Sequence, residues 1–237
     1  MSSASRPIPP IPLTPLIYAH RGASFDFPEM SREAYLGAVS QGADGFETDL
    51  RLTKDRVIVC WHDAGMKRVA DCDLVIANST FAQVRAAYPV LSLEELLDIA
   101  LAHGKHLALE TKHPVTMRGA IERELLELLR KYDERISQAG ISISIMSFSW
   151  LAMLRLRKSD WNSVFLISHS LQRFLAVSSA IGPSISVISH WKRGRAQKQI
   201  YVWTANSEAQ ILLCKEKGIS VMMTDRPAYA RAILESA

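Results

Sequence analysis

Short apolar runs alternate with helical segments along most of this 237-residue chain, an order typical of an α/β fold with a parallel sheet. The apolar runs predict strands over 16–20, 44–50, 56–62, 106–112, 142–148, 163–168, 185–190, 199–204 and 219–224. Helical periodicity is clearest over 31–41, 93–102, 117–132 and 207–216. Eight or nine strands in this length predict one TIM (β/α)8 barrel domain over 16–237, preceded by an N-terminal arm over 1–15.

Several residues mark the ends of the predicted helices. Ser92 and Glu95 have the spacing of a capping box, and Ser207 is placed to cap the helix that follows it. Glycines fall where four helices should end, at Gly42, Gly104, Gly140 and Gly218. Because no glycine-rich G-x-G-x-x-G loop follows a predicted strand, a doubly wound nucleotide-binding sheet is disfavoured.

The composition fits one large domain in a reducing compartment. With 48% apolar residues the chain can bury a single core, and no apolar stretch is long enough to span a bilayer. The first 15 residues are rich in Ser and Pro and lack the apolar region of a secretory signal. The three cysteines, Cys60, Cys72 and Cys214, are scattered and have no metal-binding spacing. We therefore expect a cytoplasmic protein without a transmembrane segment.

The net charge of +4 mildly favours anionic partners. A dense basic patch, from Lys192 to Lys198, directly precedes a predicted strand, so we interpret it as a solvated connecting loop. Contact with phospholipid head groups or with nucleic acid is the alternative interpretation of this patch. Because no aromatic residue is interleaved within it to stack on bases, we do not expect a nucleic-acid partner.

Charged residues stand at the ends of the predicted strands, which is where barrel enzymes build their active sites. They are His20 and Arg21, then Glu47 and Asp49, then His62, and finally Glu110 and Lys112. Strand side chains two positions apart point the same way. Glu47 with Asp49, and Glu110 with Lys112, should therefore each project as a pair into one space. Carboxylates, histidines and cations around one mouth indicate a metal-assisted reaction on a phosphate ester.

The three carboxylates Glu47, Asp49 and Glu110 are hard oxygen ligands, which suit Mg²⁺ or Ca²⁺ better than zinc. Converging without a cation they would repel one another, so a divalent ion is the simplest way to keep all three ionised. Each pair also has an ordinary alternative. Glu47 and Asp49 could form the solvated face of an edge strand, and Glu110 and Lys112 could form a surface ion pair. Apolar neighbours in the same strands favour buried positions, where ionised groups need a partner or a task.

The remaining charged residues suit the other parts of such a reaction. Arg21 and Lys112 offer donors to a phosphate, the first as a planar fork and the second as a point charge. His20 and His62 have ordinary pKa values near neutrality, so one is a candidate acid and the other a candidate base. A lone histidine after a strand is more often a hydrogen-bonding structural group, which is the alternative for each of them.

A series of motifs resembles the glycerophosphodiester phosphodiesterase family, in its compact cytosolic form. The motifs are 19–24 (AHRGAS), 28–31 (PEMS), 42–49 (GADGFETD), 53–55 (TKD), 59–63 (VCWHD), 93–97 (LEELL), 110–112 (ETK), 147–148 (SF), 202–206 (VWTAN) and 224–227 (TDRP). Their order, spacing and residue types agree with the family from about residue 16 to about residue 230.

The resemblance implies a TIM barrel that hydrolyses glycerophosphodiesters to glycerol 3-phosphate and an alcohol with a divalent cation. It assigns the metal to the three carboxylates, acid–base catalysis to the two histidines, and phosphate binding to Arg21 and Lys112. It places Trp203 and Phe148 in the substrate pocket, although a core tryptophan is an alternative for the former. The expected partner is therefore a small-molecule glycerophosphodiester, and neither the alcohol nor the oligomeric state is predicted.

The chain departs from the family pattern at three places. Met30 stands where the family usually has Asn, next to the loop that follows His20. The segment between His62 and the helix at 93–102 is short. The region 169–199 is also short, so His169 and His190 have no counterpart, and we interpret both as structural residues.

Two other functions remain open from the sequence. One is a related barrel enzyme of the phospholipase D type, acting on lysophospholipid or sphingomyelin, against which the Glu110-Thr111-Lys112 motif argues. The other is a catalytically silent barrel that binds an anionic lipid. The intact histidines argue against the silent barrel, and Met30 with the short loops argues for it.

Overall fold

Eight parallel strands form a closed barrel in the computed structural model, which describes residues 14–115, 119–191 and 198–236. In chain order the strands are β1 (Leu16–His20), β2 (Gly45–Leu52), β3 (Ile58–Cys60), β4 (His106–Thr111), β5 (Ile143–Ser147), β6 (Asn162–Ile167), β7 (Ala180–Pro183), β8 (Gln199–Val202) and β9 (Val221–Thr224). Every strand except β3 belongs to the barrel, and β1 closes it by pairing with both β2 and β9. The prediction of a single-domain TIM barrel is therefore confirmed.

Helices follow the strands around the outside of the barrel. They are α1 (Arg32–Ser40), α2 (Lys67–Ala70), α3 (Phe81–Ala87), α4 (Leu93–Ala102), α5 (Ala120–Ala139), α6 (Trp150–Leu156), α7 (Ile185–Ser189), α8 (Glu208–Glu216) and α9 (Pro227–Ser236), with short 3₁₀ turns at Ile76–Asn78 and Ser170–Leu175. Ser92 and Glu95 form the predicted capping box at the start of α4, and Ser207 caps α8. All four glycines predicted at helix ends have positive φ, which suits a residue without a side chain.

Three predicted elements differ from the structure. The predicted strand 185–190 is wrong: α7 occupies it, and the barrel strand is β7, just before it. The run 56–62 contains β3, which pairs antiparallel with β2 outside the barrel. The helix predicted over 117–132 is α5, which runs on to Ala139, and residues 116–118 lie outside the described part. Residues 1–13 of the arm and 192–197 of the basic patch also lie outside it.

Successive side chains of each strand point alternately into the barrel and out toward the helices. Inward-facing side chains such as Tyr18, Met146 and Tyr201 pack together inside the barrel. Outward-facing side chains such as Phe46 and Leu107 pack against the helices. Side chains fill the barrel interior, so the charged groups that follow several strands meet at its mouth, where the carboxyl ends of the strands lie.

The three cysteines are unpaired in the structure, as the sequence predicts. Burial raises the pKa of Cys60 and of Cys214 to about 12, so both thiols stay protonated and unreactive at neutral pH. Within the described residues, the helices are all too short or too polar to cross a membrane.

Candidate active site

Three carboxylates converge at the mouth of the barrel. Glu47 and Asp49 lie two apart on β2, and Asp49 is the register partner of Glu110 on β4. All three are buried, and one carboxylate oxygen from each lies within 4.8 Å of those of the other two. The structure thus brings the three predicted metal ligands into one cluster, hereafter the acidic cluster.

The electrostatics of the acidic cluster fit a hard divalent cation. Burial and the charge of Asp49 raise the pKa of Glu47 to about 8 and that of Glu110 to about 7. The pKa of Asp49 is lowered, because Lys112 and Arg21 together outweigh its burial. At neutral pH these carboxylates are not all ionised without a cation, because ionised carboxylates repel one another in a buried site. Mg²⁺ or Ca²⁺ would offset that repulsion.

An unsatisfied oxygen in the acidic cluster points to the same ligand. Arg21 Nε lies 3.0 Å from Asp49 Oδ2. The two atoms are poorly aligned, however, so both are buried without a hydrogen bond. A buried carboxylate oxygen without a donor is costly in a folded protein. The donor set of the acidic cluster therefore fits a cation that would take up this oxygen.

The two predicted phosphate-binding cations lie against the acidic cluster. Lys112 Nζ is 2.8 Å from Glu110 Oε1 and 2.9 Å from Asp49 Oδ1. Arg21 Nη1 donates to Glu29 Oε2 at 3.2 Å. Burial lowers the pKa of Lys112, but Asp49 and Glu110 more than compensate and raise it above its ordinary value. Lys112 therefore keeps its charge and offsets part of the negative charge around it.

Each of the two histidines is hydrogen-bonded to its own carboxylate through Nδ1. His20 Nδ1 lies 2.6 Å from Asp225 Oδ1, and its Nε2 lies 3.9 Å from Glu47 Oε2. His62 Nδ1 lies 2.7 Å from Asp63 Oδ1. A carboxylate on Nδ1 fixes the orientation of an imidazole ring and directs Nε2 to the other side of the ring. Both rings are held in the way expected of acid–base groups.

The pKa values of the two histidines shift in opposite directions. Burial lowers the pKa of His20, but the hydrogen bond to Asp225 and the charge of Glu47 raise it above the ordinary value. For His62 burial outweighs Asp49 and Asp63, and the pKa falls below the ordinary value. His20 therefore holds a proton more strongly than an ordinary histidine does, and His62 holds one less strongly.

The two aromatic residues predicted in the pocket contact each other. The rings of Phe148 and Trp203 meet edge to face at a centroid distance of 5.3 Å. The Trp203 indole N–H donates to the Gly182 carbonyl at 2.8 Å, and its ring packs on the side chains inside the barrel. His169 and His190 are exposed and do not join the acidic cluster. The structural role that the sequence favours for both stays a prediction.

A model of the glycerophosphoryl diester phosphodiesterase family matches residues 20–229 of the chain. The chain belongs to this family. The "Probable glycerophosphodiester phosphodiesterase 1" of Mycobacterium tuberculosis is 30% identical over 254 residues, covering 93% of each protein. The glycerophosphodiester phosphodiesterase of Bacillus altitudinis is 24% identical, covering 92% of this chain and 98% of that protein. The predictions of family and of enzyme class, a phosphoric diester hydrolase, are confirmed.

Solved structures of the family share the fold. The glycerophosphodiester phosphodiesterase of Thermotoga maritima aligns with a TM-score of 0.74 at 21% identity, covering 92% of this chain and 98% of that one. A phosphodiesterase of Oleispira antarctica, crystallised with the product sn-glycerol-3-phosphate, aligns with a TM-score of 0.76 at 19% identity. That alignment covers 94% of this chain and 97% of the Oleispira chain.

Some site residues of this phosphodiesterase have no predicted role in the sequence. Asp225 accepts hydrogen bonds from Asn206 Nδ2 at 2.5 Å and from Ser24 Oγ at 3.1 Å, besides its contact with His20. Asp225 and Asn206 follow β9 and β8, so their place after the last two strands was the available signal. A position after a strand does not reveal which side chain from another strand end it contacts in the closed barrel.

The loop after β1 is held by its backbone in this family member. Met30 is buried, has a φ of 56°, and donates its backbone N–H to the Arg21 carbonyl at 2.8 Å. The loop after β3 is held instead by a side chain, because the Arg51 guanidinium donates to the His62 carbonyl from Nε at 3.0 Å and from Nη2 at 2.8 Å. The loop after β1 is thus held through the backbone of position 30 and needs no polar side chain there, and the loop after β3 is held by Arg51.

Proposed function

We propose that this protein hydrolyses glycerophosphodiesters to glycerol 3-phosphate and an alcohol, using Mg²⁺ or Ca²⁺ held by Glu47, Asp49 and Glu110. The observation that carries the proposal is the acidic cluster flanked by two carboxylate-bonded histidines with opposite pKa shifts. Support comes from the family and from the Oleispira antarctica relative, whose structure contains sn-glycerol-3-phosphate. We further propose a cytoplasmic location, which the three unpaired cysteines support.

The side chains of the site have complementary tasks in this reaction. When bound, the cation supplies positive charge that polarises the phosphoryl oxygens and stabilises the charge growing on them. His62 accepts the proton of the attacking hydroxyl, which we propose to be the glycerol hydroxyl next to the phosphate. The new O–P bond forms a cyclic phosphate as the bond to the alcohol breaks, and His20 protonates the departing oxygen. Water then opens the cyclic phosphate with the histidine roles reversed.

We assign the phosphate to Arg21 and Lys112. An ammonium group has three donors, and Asp49 and Glu110 take two of those of Lys112, which leaves one for a phosphate oxygen. The guanidinium of Arg21 offers a planar fork beside the same carboxylates. Trp203 and Phe148 would line the pocket for the rest of the substrate.

We expect Lys112→Met to lower kcat/KM through a loss of transition-state stabilisation of about 3 kcal/mol, which is the typical cost of removing one charge-stabilising donor. The substitution keeps most of the packing of the aliphatic stem and removes the charge. Steady-state kinetics on a glycerophosphodiester measures the effect. Lys105→Met is the matched control, since Lys105 lies just before β4, at the opposite end of the barrel, where its Nζ donates to the Ala43 carbonyl. Near-normal activity of Lys112→Met would remove Lys112 from the phosphate site.

The substrate class is tested by comparing glycerophosphocholine with lysophosphatidylcholine, each with and without a chelator. The proposal predicts chelator-sensitive turnover of glycerophosphocholine. Faster turnover of lysophosphatidylcholine would favour the phospholipase D type of reaction instead. A folded protein that turns over neither ester, with Mg²⁺ or with Ca²⁺, would favour the catalytically silent barrel.

A further inference from the structure

Exposed apolar side chains are concentrated on the loops that follow β5 and β6. They are Phe148, Trp150 and Leu151 after β5, and Leu171, Phe174 and Leu175 in the 3₁₀ turn after β6. Leu171 and Phe174 are the most exposed, at 77% and 74%. We call these six residues the apolar surface. Contiguous exposed apolar surface of this kind marks a site of interaction more often than scattered single residues do.

The two halves of the apolar surface are joined to each other. The Trp150 indole N–H donates to the Leu175 carbonyl at 3.0 Å, which ties the start of α6 to the 3₁₀ turn. Because side chains three apart lie on the same side of a 3₁₀ helix, Leu171 and Phe174 project together. The apolar surface is therefore one continuous feature and not two separate exposed loops.

The apolar surface lies at the same end of the barrel as the acidic cluster. Both loops follow the carboxyl ends of parallel strands, as the catalytic loops do. Phe148 also contacts Trp203, the aromatic residue proposed for the pocket, so the apolar surface reaches the mouth of the site. Whatever covers this surface would sit beside the entrance to the acidic cluster.

The charge around the apolar surface is positive. Arg173 is exposed in the middle of the 3₁₀ turn, with its guanidinium 4.7 Å from the Phe174 ring centroid and 5.6 Å from that of Trp191. The two sequence segments that carry the apolar surface, 148–154 and 168–177, contain no acidic residue, and Arg173 is their one basic residue.

We propose that the apolar surface docks onto an anionic phospholipid bilayer. Leu171, Phe174 and Leu175 would enter the boundary between head groups and acyl chains, and Arg173 would pair with lipid phosphate. Trp150, which has an apolar ring and a bonded indole N–H, has the character of residues at membrane interfaces. A second copy of the chain is a poorer occupant, since a symmetric contact would bring two positively charged surfaces together.

Sedimentation with vesicles tests this proposal. We expect the full-length protein to bind vesicles of phosphatidylcholine with 30% phosphatidylglycerol more tightly than pure phosphatidylcholine vesicles. Leu171→Ser with Phe174→Ser should weaken binding by about tenfold or more, because two large apolar side chains no longer enter the lipid. Arg173→Gln should weaken it by about fivefold on the anionic vesicles, which corresponds to about 1 kcal/mol for one cation at the surface.

The matched control is Leu36→Ser, which removes an exposed leucine from α1, outside the apolar surface. It should bind vesicles as the unchanged protein does. Circular dichroism and turnover of glycerophosphocholine show that each variant is folded, and vesicle binding needs no turnover, so failure of the catalytic proposal is seen separately. The proposal is overturned if the protein ignores anionic vesicles or if the double variant binds them as well as the unchanged protein. Light scattering that shows a dimer broken by the double variant, without vesicle binding, would assign the apolar surface to a second copy.

Discussion

Glu110→Gln should lower kcat/KM by about 10³-fold or more while the protein stays folded. Glu47→Gln and Asp49→Asn should behave in the same way. The reason is that loss of one ligand removes much of the charge stabilisation that a bound cation supplies, about 4 kcal/mol or more. The measurement is kcat/KM for a glycerophosphodiester with saturating Mg²⁺ or Ca²⁺.

Asp44→Asn is the matched control for these variants. Asp44 lies just before β2, at the end of the barrel opposite the acidic cluster, and its carboxylate accepts from the Ile17 N–H and contacts Arg231. Its loss should lower the melting temperature and leave kcat/KM unchanged. A metal-free preparation with full activity would contradict the metal assignment, whatever the variants do.

Thermal stability gives a second readout of the acidic cluster that needs no turnover. The pKa of Glu47 in the metal-free folded protein is raised from 4.5 to about 8. Ionising this buried carboxyl therefore destabilises the folded state, so the free energy of unfolding falls as the pH rises from about 4.5 to about 8. With a chelator at pH 8, the melting temperature of Glu47→Gln should be higher than that of the unchanged protein. At pH 4 the two melting temperatures should be equal.

Added cation should reverse that order. At about 100 times its dissociation constant, a ligand that binds only the folded state stabilises it by about 2.7 kcal/mol. For a chain of this size that is a rise in melting temperature of about 5–10 °C. The unchanged protein should show the rise with Mg²⁺ or Ca²⁺, whereas Glu47→Gln should show little of it. Equal shifts in both proteins would place the cation away from Glu47.

Local patterns in the sequence predicted those parts of the fold that local interactions decide. The helix 93–102 was predicted at its exact bounds, because an apolar stripe and a capping box both specify it. The strand predicted over 185–190 is wrong, because the β-branched residues of this run suit a strand as well as the short helix that forms there. The true strand, β7, has four residues and includes Gly182 and Pro183, so its composition gave no strand signal.

The same distinction holds for the candidate site. Strand alternation is a local rule, so it placed Glu47 beside Asp49 from the sequence alone. The contact between His20 and Asp225 spans 205 positions and exists only because β1 closes the barrel against β9. The cations were predicted at the mouth, but the sequence could not show that Lys112 already bridges Asp49 and Glu110. Such pairings depend on barrel closure and register, which no single segment encodes.

The pH profile of kcat/KM should be bell-shaped, with its two limbs set by the two histidines. In the proposed mechanism the active form has His62 neutral and His20 protonated. The pKa of His62 lies below the ordinary value and that of His20 above it, so this form predominates between the two. Activity should be lost on the acid side as His62 gains a proton and on the alkaline side as His20 loses one.

Alanine at either histidine should lower kcat by about 10²-fold or more, with a smaller change in KM, because proton transfer matters in the transition state. The pH profile of each variant then identifies the limb that its histidine controls. His62→Ala should lose the acid limb, and His20→Ala should lose the alkaline limb. The opposite pattern would exchange the two roles.

Asp225→Asn tests the same assignment without removing a catalytic group. Its carboxylate raises the pKa of His20 through a hydrogen bond and through its charge, so the amide should lower that pKa. The alkaline limb should then move to lower pH while the acid limb, set by His62, stays in place. Asp63→Asn is the matched control on the other histidine, because Asp63 raises the pKa of His62 through the same kind of bond. There the acid limb should move to lower pH and the alkaline limb should stay, so two variants that move the same limb would refute the division of acid and base between His20 and His62.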